Sequence, residues 1–422
     1  MSNGSKREQI YKCGWLWQTG YYAKTKRKGE RGMREGWEYK KLGEVGTFLR
    51  GKSIQKADFV EHGLPCIHYG QIHNKFGVSV DKHLSEIPEE VYNKSIIASP
   101  GDVVIAITSE DLDGSCKSTA WLGDYDVAVS SHAAVYKHNL NPKFIAYYLR
   151  SNSFYVEKGK YARGFKVMEI KPTDIARIPI PLPSEEIQSR VVAELDKINE
   201  LIRLKREQLK DYDNLAQSIF YEMFGDPVVN EKGWKVKKIG EIGTVERGAG
   251  ISKKDFVEDG LPCIHYGQLH TILGPTTRHH HSCIPESLLP KYKIAHTNDV
   301  IMAITSEDVE GSCKSTAWLG NYDIVIGSDA AILHHEQDGT FLSYYTMTKA
   351  FFNEKSKYAK GFKVTHISAK EIENIPVYLP PLALQKDFAK RIEVIEHQKE
   401  NIKSTIQDLE TLLASRMQYW FD

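Results

Sequence analysis

From Ser184 to Phe224, apolar residues recur at three- and four-residue steps: Ile187, Val191, Leu195, Ile198, Ile202, Leu209, Tyr212, Leu215 and Ile219. That period gathers them into one stripe on a helix whose remaining surface is charged. No Gly or Pro interrupts the stretch. Pro181 and Pro183 precede it, Ser184 is a candidate cap, and Gly225-Asp226-Pro227 stops it. At 1.5 Å per residue such a helix is about 60 Å long. A weaker version runs from Pro381 to Trp420 through Phe388, Ile392, Ile395, Ile402, Ile406, Leu409, Leu413 and Met417. By periodicity alone, each is a linker helix or a coiled-coil arm.

Elsewhere the pattern is of short apolar runs between turn signals. PCIHYG, GDVVIAIT, YDVAVSSHAAVY and DIARIPIPLP read as strands, and IPEEVY and FIAYYLRSNSFYVEKG as short helices. Long polar loops separate them.

These patterns occur twice, at a constant offset of 197 residues. Residues 37–73 return at 234–270 with 25 of 37 positions identical, and 106–123 return at 303–320 with 16 of 18 identical. KYARGFKV at 160–167 returns as KYAKGFKV at 357–364. A period this long is no solenoid; it is a duplicated domain plus helix. Duplicated units tend to pack as a homodimer does, around a twofold axis. The expected fold is therefore α+β: two pseudo-twofold-related mixed domains joined by a pair of long antiparallel, coiled-coil-like helices. The expected boundaries are a basic, disordered leader at 1–36, domains at 37–180 and 226–377, and helices at 181–225 and 378–422. The same symmetry predicts Phe421 near Trp37, as Phe224 near Trp234.

Composition narrows the function. The net charge of +1 argues against a uniformly basic nucleic-acid coat but allows basic patches. No run of about eighteen apolar residues occurs and no signal-peptide core opens the chain, so the expected location is the cytoplasm. Six cysteines in 422 residues fit reduced thiols better than a disulfide framework. The leader carries eight Lys/Arg against two Glu in residues 1–32 and is read as an inconsequential extension.

Gly46-Thr-Phe-Leu-Arg-Gly-Lys-Ser53 satisfies a P-loop pattern, but the second copy, Gly243 to Gly250, lacks the lysine and serine that pattern needs. An Arg-Gly loop facing phosphates suits both copies better, with Arg50, Lys52, Arg247 and Lys253 as its contacts. Cys66-Ile-His68 and Cys263-Ile-His265 invite a zinc reading; without a C-x-x-C, buried core thiols are the better one. His-Tyr-Gly-Gln at 68–71 and 265–268 ends a strand. Tyr69, Gln71, Tyr266 and Gln268 are candidates for contact with base edges, with a plain turn as the alternative. The loops carrying Ser109, Glu110, Lys117 and Ser118, and Ser306, Glu307, Lys314 and Ser315, offer acceptors and donors suited to base edges. A carboxylate pair for catalysis is their rival reading. Lys160, Arg163 and Lys166, with Lys357, Lys360 and Lys363, alternate with aromatics around a glycine, as phosphate-facing loops do; a solvated helix end is the alternative. No methyltransferase, helicase or nuclease motif survives in both copies, so chemistry is expected from a partner.

Ile178-Pro-Ile-Pro-Leu-Pro183 leading to Gln188, and Ile375-Pro-Val-Tyr-Leu-Pro-Pro leading to Gln385, each run into a long helix. Phe220-Tyr-Glu-Met-Phe-Gly-Asp-Pro227 followed by Trp234, and Gly36-Trp37 with Lys41-Leu-Gly-Glu44, complete a pattern that resembles the specificity subunit of type I restriction–modification systems. The resemblance covers 37–422. It implies two target-recognition domains reading the halves of a bipartite DNA site, with the helices as spacer. It also implies two methyltransferase subunits carrying S-adenosylmethionine, and restriction subunits using ATP and Mg; no catalytic residue, cofactor or metal is expected in this chain. The near-identity of the copies predicts a near-palindromic target. Any difference between half-sites is expected from Asn74–Pro100 against Thr271–Asn298. A stand-alone DNA-binding regulator and a metal-dependent enzyme using Glu110/Asp111 and Glu307/Asp308 are the alternatives.

Overall fold

A computed structural model describes residues 36–422 except 53, 165, 252, 288–291 and 362–363. The leader up to residue 35 and Lys363 therefore lie outside the described residues. The chain divides into two compact units: Arg206–Ser404, and the described residues up to Lys205 together with Thr405–Asp422. The division falls inside the two long helices, Glu185–Phe224 and Leu382–Phe421, each forty residues without a break. Each unit thus contains one α+β domain and a segment of each helix.

In the first domain a five-stranded sheet runs in the order Gly46–Arg50, Ala133–His138, Val103–Ala106, Ser118–Trp121, Ser79–Val80. A four-stranded sheet has the order Ser85–Ile87, Leu64–Ile67, Val127–Val129, Ile96–Ala98. Val103–Ala106 shows why its sequence is a continuous apolar run. Val103 and Ile105 enter the core beneath the helices, while Val104 and Ala106 enter the core shared with Ile67, Val127 and Val129. A strand covered on both faces has no polar side to alternate with. Two short ladders complete the domain: Glu38–Lys41 with Pro179–Leu182, and Thr108–Ser109 with Met168–Glu169.

The second domain repeats this topology at +197. Glu38 faces Leu182 in one, and Lys235 faces Leu379 in the other.

Several expected elements divide. YDVAVSSHAAVY is not one strand: Val127–Val129 joins the four-stranded sheet and Ala133–His138 the five-stranded one, with residues 130–132 turning between them. FIAYYLRSNSFYVEKG is two helices, Pro142–Tyr148 and Asn152–Gly159, because the Ser151 hydroxyl accepts from Phe154 N–H and caps the second. DIARIPIPLP opens with a helical turn, Pro172–Ile175, before its strand.

Within the unit Arg206–Ser404, Asp213 faces Lys399 at 2.7 Å and the Phe224 ring faces that of Phe388 at 5.3 Å. Eleven residues forward along one helix match eleven back along the other, so the segments are antiparallel. Ala216, Phe220 and Phe224 are the buried positions there, whereas Leu215, expected in the stripe, is 46% exposed. Gly225, at φ +74, ends the first helix. In the other unit Glu194 binds Arg416 and accepts from Trp420 Nε1 at 3.1 Å, and Val191, Leu195, Trp420 and Phe421 share the domain core. Trp37 packs on that same core, and Trp234 Nε1 donates to Phe224 O at 2.7 Å, as the duplication predicts. A buried glutamine ties each helix to its domain. Gln188 accepts from Asn141 N–H and donates to Pro183 O; Gln385 accepts from Asp338 N–H and donates to Pro380 O.

Candidate nucleic-acid interface

The loops singled out in the sequence meet on one face of each domain, around the turn that carries the chain from one sheet to the other. In the first domain this turn is 130–132. Arg50 ends its strand and donates from Nε to Ser131 O at 3.4 Å, and Glu169 lies 3.0 Å from its Nη1. Gly51 follows, where a Cβ would sit 2.1 Å from Ser130 O, so no larger residue fits. Exposed Lys52 bridges to Ser130, and Tyr69 N–H donates to Ser130 Oγ at 3.0 Å. The Tyr69 ring lies 4.9 Å from His132 and 6.0 Å from His73. His73 Nε2 meets Thr108 O at 3.0 Å, which fixes that nitrogen as the protonated one, and partial burial lowers the imidazole's pKa.

The loop 109–117 is held from within and beneath. Asp111 Oδ1 accepts from Gly114 N–H at 2.7 Å, and Ser115 Oγ donates to Leu112 O at 2.8 Å. Cys116 adopts φ +59 while fully buried. Lys117 Nζ donates to His73 O at 3.3 Å, tying the loop to the helix Tyr69–Asn74. Under the loop, Lys158 is buried and donates to Ser115 O at 2.5 Å; burial lowers its pKa. Lys160, on the exposed side, pairs with Glu157 of its own helix. Arg163 and Glu169 exchange backbone hydrogen bonds to close a hairpin around Gly164, at φ +113, with Lys166 exposed at its tip.

The second domain repeats the arrangement. Arg247 Nε donates to Ser328 O at 2.8 Å, His270 Nε2 meets Thr305 O at 3.1 Å, and Lys314 Nζ donates to His270 O at 2.9 Å. Asp308 accepts from Gly311 N–H, Cys313 adopts φ +57, and buried Lys355 donates to Glu310 O at 2.8 Å and to Ser312 O. Lys357 pairs with Glu354, and Lys360 with Glu371. Glu110, Glu307 and Tyr266 are exposed. Lys253 stands in a short 3-10 turn, Lys253–Asp255.

Several expected contacts are corrected. Ser118 and Ser315 lie buried in the five-stranded sheets, where their hydroxyls meet Ala146 O, and Ser343 and Thr346. Gln71 and Gln268 are capping residues, not base readers: Oε1 accepts from His68 or His265 N–H, and Nε2 donates to Ser85 or Ser282. Ser306 is buried too, and Ser109 half-buried. Asp111 and Asp308, the rival catalytic carboxylates, are spent on turns. The P-loop pattern falls away because Gly46–Arg50 is a strand. Cys66 and Cys116 occupy separate cores with their thiols pushed up to about 12 by burial, as do Cys263 and Cys313. Among the described residues no three His, Cys, Asp or Glu converge as metal ligands, and no helix is long and apolar enough to cross a membrane. Residues 130–132, His73, Lys158 and Glu169 were missed, because each earns its place through tertiary contacts that no local pattern announces.

Comparison with known proteins agrees with this architecture. The sequence matches the family described as the type I restriction modification DNA specificity domain over residues 34–211 and 231–411. The MjaVIII specificity subunit of Methanocaldococcus jannaschii is 22% identical, covering 94% of this chain and 96% of its own. The StySPI specificity subunit of Salmonella potsdam is 21% identical, covering 92% and 88%. In fold, the chain resembles the S subunit from M. genitalium, with a TM-score of 0.51 at 13% identity over 93% of this chain and 98% of that one. It also resembles a chain from a type I R-M system studied for complex assembly and conformational transition, at 0.55 and 19% over 92% and 98%. The duplicated domain, the paired helices and these matches together show that the chain belongs to the type I restriction–modification specificity family, as a subunit that recognises DNA sequence.

Proposed function

We propose that each domain reads one half of a bipartite DNA site with the face built around residues 130–132 and 327–329. Arg50, Lys52, Lys160, Arg163 and Lys166, and Arg247, Lys253, Lys357, Lys360 and Lys363 in the second copy, are suited to phosphates. Tyr69, Tyr266, Glu110 and Glu307 are suited to base edges. The observation that carries this reading is the repetition of one basic and aromatic face at an offset of 197 residues, held in both domains by the same histidine–threonine and lysine–histidine contacts. Two such similar readers call for similar half-sites, inverted around a nonspecific spacer whose length the long helices set. The chain itself is non-catalytic. Methyltransferase subunits holding S-adenosylmethionine, and restriction subunits using ATP and Mg, supply the chemistry. Leu201, Leu204 and Leu215, 45%, 46% and 46% exposed on the first helix, are candidates for seating the methyltransferase subunits.

Co-expression with the methyltransferase subunits, followed by methylome sequencing, tests this reading. The expected result is one bipartite motif, with two similar inverted halves, that disappears when this chain is omitted. Two unrelated half-sites refute the near-palindrome. Methylation that persists without the chain refutes the reading itself.

A further inference from the structure

Around the arginine of each face, one carboxylate and one imidazole have changed places. The first domain has His132 in the turn and Glu169 on the adjoining strand; the second has Asp329 in the turn and His366 on the strand. Local charge is preserved while its position is not. In the first domain Glu169 Oε1 lies under Arg50, shielded from solvent, and the imidazole of His132 covers Tyr69. In the second, Asp329 approaches Arg247 to 3.9 Å from the turn, and Tyr266 is 44% exposed.

The turn side chains also present opposite hydrogen-bonding character. Thr108 Oγ1 and His132 Nδ1 are 3.1 Å apart, and Thr305 Oγ1 donates to Asp329 Oδ1 at 3.3 Å. His132, exposed in the turn, can offer an Nε2–H donor when its Nδ1 accepts from the threonine hydroxyl. Asp329 has no donor to offer; its second oxygen is an acceptor. Major-groove edges answer these differently: guanine and thymine present acceptors alone, whereas cytosine and adenine carry an amino donor, in adenine beside its N7 acceptor.

We infer that the exchange at 132/169 and 329/366 makes the two half-sites differ at one equivalent step, with guanine or thymine in the first and cytosine or adenine in the second. The inference rests on the reading of each domain as the reader of one half-site. His132 and Asp329 are the specificity-determining residues at that step. Glu169 is a positioning residue that aims Arg50.

The test is methylome sequencing of the whole chain with its methyltransferase subunits, as wild type and as the variant His132→Asp with Glu169→His. Wild type is expected to show one keto-to-amino difference between otherwise similar halves. The variant is expected to change that step in the first half-site to cytosine or adenine, leaving the second half-site as an internal control. A variant that marks the wild-type motif unchanged overturns the inference, as do wild-type half-sites identical at every step. A wild type that marks no bipartite motif fails the underlying reading instead, and the inference with it. Should the variant mark nothing, competition binding decides. A roughly ten- to hundredfold preference for a duplex carrying the changed step, the range of one base-pair mismatch, supports the inference, and equal loss for both duplexes overturns it.

Discussion

Lys158 and Lys355 are buried ammonium groups beneath a loop that faces solvent, and their partners are backbone carbonyls of that loop. A hydrogen bond from a charged donor to an otherwise buried carbonyl is costly to delete, at about 1–3 kcal/mol. Lys158→Met keeps the aliphatic stem and removes the donor. It is expected to lower stability by about that amount in urea melts, and to weaken discrimination of target from non-target duplexes more than it weakens non-specific binding. His138 and His335 act at the same scale on stability alone. Burial holds both down to about 4, against 6.5 in an unfolded chain. Between those values the unfolded chain binds more protons, so stability is full above pH 6.5 and falls as pH drops toward 4. The full effect is on the order of 3 kcal/mol per histidine. Thermal melts across that window should show the fall, and His138→Gln with His335→Gln should flatten it; an unchanged slope refutes the assignment. Residues like these were illegible in the sequence. Lys158 looks like any helix-end lysine, and Gln71 looks equally suited to an adenine and to a cap until Ser85 is found against it.

The long helices were the most legible elements, since forty residues of three- and four-residue spacing admit one reading. Their fine phase was less so. Leu215 and Ala216 are 100° apart on a helix, and the core took Ala216 because Phe220 and Phe224, its neighbours at four-residue steps, meet Phe388 and Phe341. The passage of one apolar run from sheet to sheet at 130–132 could not be read locally, for nothing in Ser-Ser-His names the sheet that either flank joins. That turn became the centre of the face. If the helices set the spacer, matched insertions of seven residues in both, after Lys205 and after Ser404, add about 10.5 Å nearly in phase. The methylated motif should gain about three base pairs of spacer, at 3.4 Å each. Matched insertions of two residues, about 200° out of phase, should abolish methylation. A spacer indifferent to both would make the helices mere linkers.

At the scale of the molecule, the duplication was legible because identity between the copies is high where loops and cores coincide. What it leaves unsaid is how each core is closed. The core that holds Phe144 and Tyr148 also holds Phe421, with ring centroids 5.4 and 5.9 Å away, while Phe220 and Phe224 belong to the core of Phe341. Each domain is therefore finished by the far end of the helix that the other repeat contributes.

This interlacing bears on inheritance. Two coding stretches this alike in one gene invite recombination, and deletion of one repeat would leave a chain of a single domain and a single helix. Such a product would lack the closing aromatics of its own core, but a second copy of itself would bring Phe224 to where Phe421 had been. The 36–228 fragment is thus expected to be an obligate homodimer by light scattering, its thermal midpoint rising with concentration. A well-folded monomer would show that the borrowed helix end is dispensable. If the dimer forms, one deletion turns an asymmetric reader into a symmetric one, and a host could acquire a new methylation pattern without a single base substitution.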